Sequence, residues 1–353
     1  MNPEVSLNFM PAFYRRHAGL RYGEAYLFDP AYRAEVQCAE ERFLFESLGR
    51  HGVGSPHPAP SPSLFIQPVD LIMRTQGAEW RYPEDGTLES WGTPWQDLSC
   101  DEIARLDVAA AAHHPVIDAL LDQYRVLERL YGERADLCGL KSGMLNVHTP
   151  YTTAHQLRGE TLFVELLTDP ASATTIMEKV WAIYQAVFGR LAAAIGARPT
   201  RLQLGDCSAS LLSAETYASV VLPVNRAIGA GFASVGYHSC GPSSHLLDAF
   251  SRLPPLDHIE LGPGTDLAAA ARTLPGTPLF PLIDPVLMRE RDPAAVRARI
   301  EETLSQTAPA PATTLCVWSL DRDTPIKNVA AVYETVEGAD SLKTKQVAFR
   351  RDR

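Results

Sequence analysis

The sequence contains few cysteines, and no two of them are closely spaced. Six cysteines lie at irregular intervals along 353 residues, and no Cys-x-x-Cys pair occurs. A fold held together by disulfides needs a denser and more regular set of cysteines, so we exclude a disulfide framework. We expect these cysteines to be free thiols, core residues or metal ligands.

Long basic runs and long apolar runs are absent. The 32 Lys and Arg residues are outnumbered by 42 Asp and Glu, the net charge is -10, and no run of five basic residues occurs. An acidic surface disfavours binding to nucleic acids and to anionic membranes. Apolar stretches such as 109–112 and 219–224 are too short to cross a bilayer, and residues 1–10 lack a secretory signal pattern. We therefore expect a cytoplasmic protein that binds neither nucleic acid nor membrane.

The glycine-rich fingerprints of dinucleotide-binding and phosphate-binding loops are missing as well. What is present is an ordinary globular composition, with 46% hydrophobic and 21% charged residues. A chain of this length can bury a large core without disulfides or structural metals. Its length allows either two domains or one large α/β barrel.

Two regions differ in composition. Residues 1–60 are rich in aromatic residues and arginine, and they run into a loop rich in Pro, Ser and Gly at 52–63. We predict that residues 1–60 form an N-terminal extension that packs on the main domain as a lid. The catalytic domain is predicted to span residues 61–345.

Short apolar strands alternate with helical patterns after residue 100. Strands are predicted near 145–147, 201–204, 231–237, 258–261, 279–283 and 313–318. Helices are predicted near 168–195, 213–229, 267–273, 293–305 and 327–336. Such alternation indicates a parallel α/β fold, and the number of strands favours a single (β/α)8 TIM barrel.

Polar side chains occur where several of these strands end. They are His148, Asp206, His238, Cys240, Glu260, Asp284 and Cys316. The active sites of barrel enzymes lie at the carboxyl ends of the strands. We therefore expect the site to be built from this set.

His238 and Cys240 are the most informative of these residues. They are two positions apart, so in an extended strand their side chains point to the same side. Together they can share a zinc ion if a third ligand comes from elsewhere. The alternative is that Cys240 is a small hydrophobic residue, as buried cysteines often are. Cys207 follows Asp206 and points to the opposite side from it, so we assign Cys207 to the core.

Four segments carry a resemblance to a known family. They are Tyr237–Gly241 (YHSCG), Gly205–Ser213 with Glu215, Tyr217 and Pro223, Asp284–Leu287 (DPVL), and Thr324–Val329 (TPIKNV). Together, in their order along the chain, they resemble the uroporphyrinogen decarboxylase-like superfamily over about residues 140–335. Lys327 stands where that family usually has Glu. The resemblance implies a (β/α)8 barrel.

The chain is most similar to the branch of zinc-dependent, corrinoid-linked methyltransferases of the coenzyme M type. That branch carries a His-x-Cys…Cys zinc site, and Cys316 stands eight residues before Thr324, where the pattern places the distal cysteine. The resemblance therefore implies that His238, Cys240 and Cys316 bind Zn²⁺. It further implies a methyl or alkyl transferase in which a zinc-bound substrate thiolate attacks an alkyl donor such as a methyl-corrinoid. No Asp-x-His-x-x-Gly motif is present, so a corrinoid (cobalamin) would come on a separate partner protein or as a free molecule.

The N-terminal region departs from the decarboxylase branch. That branch carries an RQAGRY segment that binds substrate carboxylates, whereas this chain has RHAGLRY at residues 16–22. Arg16 and Arg21 remain candidates for a bidentate contact with an anionic substrate, and surface ion pairing is the alternative. A decarboxylase or lyase acting on a small carboxylate or thiol is the second reading of the function. A barrel that binds a metal or ligand without catalysis is the third.

Four further residues receive roles from this reading. Asp206 and His148 are candidate catalytic groups that position the substrate or orient a ligand imidazole. Glu260, at the end of the next strand, is a candidate for the fourth zinc position before substrate arrives. Tyr237, next to His238, is a candidate substrate contact.

Overall fold

Residues 3–84 and 86–351 are described by the computed structural model, with side chains described up to residue 338. This part of the chain contains eleven strands. They are β1 (Glu4–Phe9), β2 (Ser63–Leu64), β3 (Glu79–Arg81), β4 (Glu89–Trp91), β5 (Asp136–Leu137), β6 (Met144–His148), β7 (Arg201–Gly205), β8 (Ser234–Ser239), β9 (Leu256–Leu261), β10 (Leu279–Pro281) and β11 (Thr314–Leu320).

Helices connect most of these strands. They are α1 (Pro11–Ala18), α2 (Glu24–Phe28), α3 (Pro30–Leu48), α4 (Pro68–Thr75), α5 (Cys100–Arg105), α6 (Val108–Ala112), α7 (Pro115–Tyr131), α8 (Pro150–Arg158), α9 (Thr161–Thr168), α10 (Pro170–Ala194), α11 (Ala214–Thr216), α12 (Leu222–Gly229), α13 (Leu247–Phe250), α14 (Leu267–Thr273), α15 (Pro285–Glu290), α16 (Pro293–Thr307) and α17 (Ile326–Arg351). A π-helical turn, Tyr217–Val221, joins α11 to α12.

The starts of the two longest internal helices follow from local sequence. The carboxylate of Asp29 accepts hydrogen bonds from the first backbone amides of α3, and Asp169 does the same for α10. Each aspartate is followed by a proline, whose fixed φ suits the first helical position. The predicted helix over 168–195 therefore begins at Pro170, within two residues of the expected position.

The main sheet is parallel. Its hydrogen-bonded order is β10-β9-β8-β7-β6, and isolated bridges at Leu279–Thr313 and Leu282–Cys316 connect β10 to β11. β1 pairs in parallel with β11, and β2 pairs in parallel with β5. β3 and β4 form a small antiparallel hairpin. The parallel strands and their connecting helices form the predicted TIM barrel.

The N-terminal region shares a hydrophobic core with the end of the chain. Phe13 and Leu48 are buried together with Leu315 and Val332. β1 extends the sheet beyond β11 rather than packing on it from outside. The role of residues 1–60 as a lid stays a prediction.

One row of residues crosses four neighbouring strands. His148 on β6 is in register with Gly205 on β7, which is in register with His238 on β8, and His238 is in register with Glu260 on β9. Residues in register on parallel strands face the same side of the sheet. The row lies at or close to the carboxyl ends of these strands. The fold therefore brings together His148, His238 and Glu260, three of the residues from which the site was expected to be built. Among the described residues, no helix is long and apolar enough to cross a membrane.

Candidate metal centre

His238 is held by a carboxylate from the neighbouring strand. Its Nδ1 lies 2.7 Å from Oε2 of Glu260, and the other carboxylate oxygen of Glu260 is contacted by Gln203 Nε2 at 3.2 Å and His258 Nε2 at 3.3 Å. With Nδ1 engaged, Nε2 of His238 is free to act as a metal ligand. A carboxylate on the second ring nitrogen is the usual support for a histidine that binds a metal.

His238 and Glu260 stabilise each other's charged forms. Burial opposes the charged form of His238, but hydrogen bonds to Cys240 and Glu260 outweigh it and raise the pKa of His238 to about 9. Burial of Glu260 also opposes its charged form, and hydrogen bonds from His238 and His258 still bring the pKa of Glu260 below its ordinary value. In the metal-free protein, the structure therefore favours an imidazolium–carboxylate pair.

Two thiols complete the cluster around His238. Ligand atoms of Cys207, His238 and Cys240 all lie within 4.8 Å of one another. The hydrogen bond from Cys207, and then the contact with His238, lower the pKa of Cys240 to about 5 in spite of burial. The hydrogen bond to Cys240, followed by burial, raises the pKa of Cys207. Cys240 is therefore the thiolate of the pair and Cys207 the thiol.

The assignment of Cys207 to the core was wrong. Cys207 is half-buried, and it lies with His238 and Cys240, whereas Asp206 is fully buried. β7 ends at Gly205, so Asp206 and Cys207 lie in the turn that follows it, where the alternation of a strand does not apply. Asp206 lies in the interior, and Cys207 faces the cluster. The signal in the sequence was that Cys207 follows the end of β7 as Cys240 follows the end of β8.

Cys316 is not part of the three-residue cluster. It is fully buried in β11, and its Sγ is 3.9 Å from the carbonyl oxygen of Thr314. Burial, and then the charge of Glu260, raise the pKa of Cys316, so the thiol senses the carboxylate that holds His238. Its role as a metal ligand stays a prediction.

Asp206 is the centre of a buried hydrogen-bond network. Its carboxylate accepts hydrogen bonds from Tyr237 at 2.6 Å, Thr149 at 2.9 Å, Thr152 at 3.0 Å and Asn225 at 3.3 Å. Its backbone amide donates to the carbonyl oxygen of His238 at 2.7 Å. Asp206 was expected to position the substrate or to orient a ligand imidazole. Glu260 contacts the imidazole of His238, and Asp206 secures the end of β7 against β8. Its catalytic role stays a prediction.

His148 lies in the same row as His238. Burial, followed by the charge of His238, lowers the pKa of His148 to about 4, so its imidazole is neutral near pH 7. A Cβ at Gly205 would lie 3.4 Å from the His148 ring, so the glycine between the two histidines leaves room for that ring. The ring of His238 also stacks on that of Trp318, with a centroid distance of 6.2 Å.

The three predicted substrate contacts lie in different surroundings. Arg16 and Arg21 are exposed, on α1 and in the loop after it. Tyr237 is fully buried, and its hydroxyl donates to Asp206. Contact of these three residues with a substrate stays a prediction.

The donor set of the cluster suits zinc. One imidazole nitrogen and two cysteine sulfurs are ligands that Zn²⁺ binds tetrahedrally, with a further position left for a substrate in catalytic sites. Cys240 is exposed, so a ligand can reach the cluster from solvent. The residues present therefore fit a zinc ion.

Comparison with known proteins places the chain in a family and identifies similar solved structures. The family model for uroporphyrinogen decarboxylase (URO-D) matches residues 75–339, which is more than two thirds of the chain. Among solved structures, a methyltransferase from Methanosarcina mazei is similar with a TM-score of 0.66 and 14% sequence identity. That match covers 96% of this chain and 94% of the other. No curated protein matches the sequence.

Proposed function

Since the chain belongs to the uroporphyrinogen decarboxylase family, we propose that it is a zinc-dependent enzyme of that family that transfers a methyl or alkyl group to a substrate thiol. The single observation that carries this proposal is the cluster of Cys207, His238 and Cys240 at the ends of β7 and β8. The similarity in fold to a protein named as a methyltransferase supports the same class of reaction.

Two sets of residues could hold the zinc ion. Both contain His238 and Cys240. The geometry favours Cys207 as the third ligand, and the sequence resemblance favours Cys316. A zinc ion held in this way would bind the substrate thiol in its deprotonated form and so supply a nucleophile near neutral pH.

The protein's own groups prepare this site. Glu260 holds Nδ1 of His238 and so directs Nε2 toward the sulfurs. The lowered pKa of Cys240 favours binding of a metal by its thiolate, whereas the imidazolium of His238 has to lose a proton when the metal binds. His148 is neutral, so it adds no positive charge that would repel the metal.

The alkyl donor belongs to the same proposal. We propose a methyl-corrinoid as donor, carried by a separate protein or free in solution, and a small-molecule thiol as acceptor. Attack of the thiolate sulfur on the methyl carbon would form the S–C bond as the donor bond to carbon breaks. The bonding pair would leave with the donor.

A decarboxylase is the second candidate, because the matching family takes its name from uroporphyrinogen decarboxylase. In that reading the substrate is a small carboxylate bound by cationic side chains. Arg16 and Arg21, the candidate cationic contacts, are both exposed.

The proposal is tested by metal content. We expect about one zinc per purified chain, as a three-ligand catalytic site requires. Cys240→Ala should lose the metal, and Cys38→Ala, which changes a thiol hydrogen-bonded to Pro58 in another part of the fold, should keep it. A wild-type protein without zinc after zinc loading, or a Cys240→Ala variant that keeps it, would contradict the proposal.

Two more variants identify the third ligand. Loss of zinc in Cys207→Ala with retention in Cys316→Ala would assign the geometric cluster, and the reverse would assign the pattern found in the sequence. Loss in both would indicate that three sulfurs and one imidazole bind the metal.

Turnover distinguishes the two candidate reactions. Methyl-cobalamin changes its absorption spectrum when it loses its methyl group. We expect that change when the zinc-loaded protein is mixed with methyl-cobalamin and a panel of small thiols. Release of CO2 from a carboxylate, with no spectral change for any thiol, would favour the decarboxylase instead.

A further inference from the structure

A cavity of about 190 Å³ lies between the N-terminal helices and the residues that follow β2. Four aromatic side chains line it: Tyr22 before α2, Tyr26 within α2, Phe65 just after β2, and Tyr82 just after β3. Tyr22 and Tyr26 meet edge to face, with ring centroids 5.0 Å apart. Because Phe65 follows β2, the cavity lies at the carboxyl end of that strand, where TIM barrels bind their ligands.

The charge on the cavity wall is acidic and lacks a basic partner. Asp70 is the charged side chain among the described residues that line the cavity, and no Lys, Arg or His joins it there. One oxygen of Asp70 accepts a hydrogen bond from Ser90 Oγ at 2.8 Å. Burial raises the pKa of Asp70, which shows how little the surroundings compensate its charge.

A neighbouring cavity is also lined by acidic residues. A second cavity, of about 320 Å³, shares Tyr22 and Tyr26 with the first and is lined also by Glu40 and Glu41. The hydroxyl of Tyr22 donates to Glu40 at 2.5 Å, so this ring is fixed in place between the two cavities. Asp70 and Glu40 are half-buried, and a half-buried carboxylate without a cation is unfavourable, so a bound cation would reduce that cost.

We propose that the aromatic cavity binds a small organic cation of the quaternary ammonium class, with its methyl groups against the tyrosine rings and Asp70 as counter-charge. Aromatic faces attract cations through their negative quadrupole, and aromatic cages are a frequent solution for quaternary ammonium groups. Such a cation donates no N–H hydrogen bonds, so a wall of ring faces with one carboxylate suits it better than it suits a primary amine. The inference uses only the cavity, so it stands or falls independently of the thiol chemistry.

The test compares two ligands of similar shape and different charge. Choline and its uncharged analogue 3,3-dimethyl-1-butanol are titrated into the full-length protein by calorimetry. We expect choline to bind about tenfold more tightly, since tenfold corresponds to about 1.4 kcal/mol, which is within the range of a desolvated cation–π contact. Equal affinities for the two ligands, or no saturable binding of choline, would overturn the proposal.

Variants of the cavity give a second, independent readout. Asp70→Asn should weaken choline about tenfold and leave the neutral analogue unchanged. Asp122→Asn, on the exposed face of α7, is the matched control and should change neither ligand. If Asp70→Asn does not fold, the aromatic ring of Tyr82 is tested instead. Tyr82→Phe should keep the affinity for choline, and Tyr82→Leu should reduce it. Equal affinities in the two Tyr82 variants would exclude the ring as a contact.

Discussion

Removal of one hydroxyl from the buried network around Asp206 should cost more than an ordinary buried hydrogen bond. Tyr237 and Asp206 are both fully buried, and the tyrosine hydroxyl donates to the carboxylate at 2.6 Å. A hydrogen bond to a charged group contributes about 1.5–3 kcal/mol to stability, compared with about 0.5–1.5 kcal/mol for a neutral one. We therefore expect Tyr237→Phe to lower the free energy of unfolding by about 1.5–3 kcal/mol where Asp206 is ionised.

A matched variant separates the charge effect from the loss of a buried hydroxyl. Tyr184 is also fully buried, and its hydroxyl lies 2.8 Å from that of Thr153, a neutral partner. Tyr184→Phe should cost about 0.5–1.5 kcal/mol at every pH. The two costs are compared by urea denaturation followed by tryptophan fluorescence.

The cost of Tyr237→Phe should depend on pH, with a definite sign. Burial raises the pKa of Asp206 in the folded protein, although four hydrogen bonds oppose this shift. Between the unfolded and folded pKa values the native state keeps a proton that the unfolded state has lost. Stability therefore falls as pH rises through this window. Loss of the Tyr237 donor raises the folded pKa further, so the variant's cost should grow as pH rises and the carboxylate ionises. A cost equal to that of Tyr184→Phe at all pH values, or one that shrinks with rising pH, would refute this reasoning.

Four other substitutions test close packing and buried charge. A Cβ at Gly262 would lie 2.1 Å from the carbonyl oxygen of Cys240, so Gly262→Ala should displace that segment and lower both the melting temperature and the zinc content. Gly189 is exposed within α10 and has open space around it, so Gly189→Ala should instead stabilise the protein by up to about 1 kcal/mol in urea denaturation. Arg158 is buried against a carboxylate and two backbone carbonyls, so Arg158→Ala should cost about 3–5 kcal/mol by the same assay. Arg125→Ala, which removes an exposed ion pair, should cost less than about 1 kcal/mol, and equal costs for the two arginines would contradict the assignment.

Local signals in the sequence determined the elements and the fold class. The Asp169-Pro170 pair at the start of α10 satisfies the first helix amides through neighbouring residues alone, so the position of this helix could be predicted. Alternation of short apolar strands with helices indicated the TIM barrel. The period-two geometry of a strand placed His238 and Cys240 on one side, and the structure confirms that they lie together.

Contacts between distant residues were decided only by the tertiary structure. Asp206 and Cys207 lie in the turn after β7, so the sequence could not tell which of them faces the interior. That depends on the neighbouring strand and on the four donors that surround the carboxylate. The aromatic cavity likewise combines residues from separate segments between 11 and 88, and no local pattern joins them. Strand periodicity is a property of adjacent residues, whereas the choice of buried face and the shape of a cavity arise from packing between segments far apart in the chain.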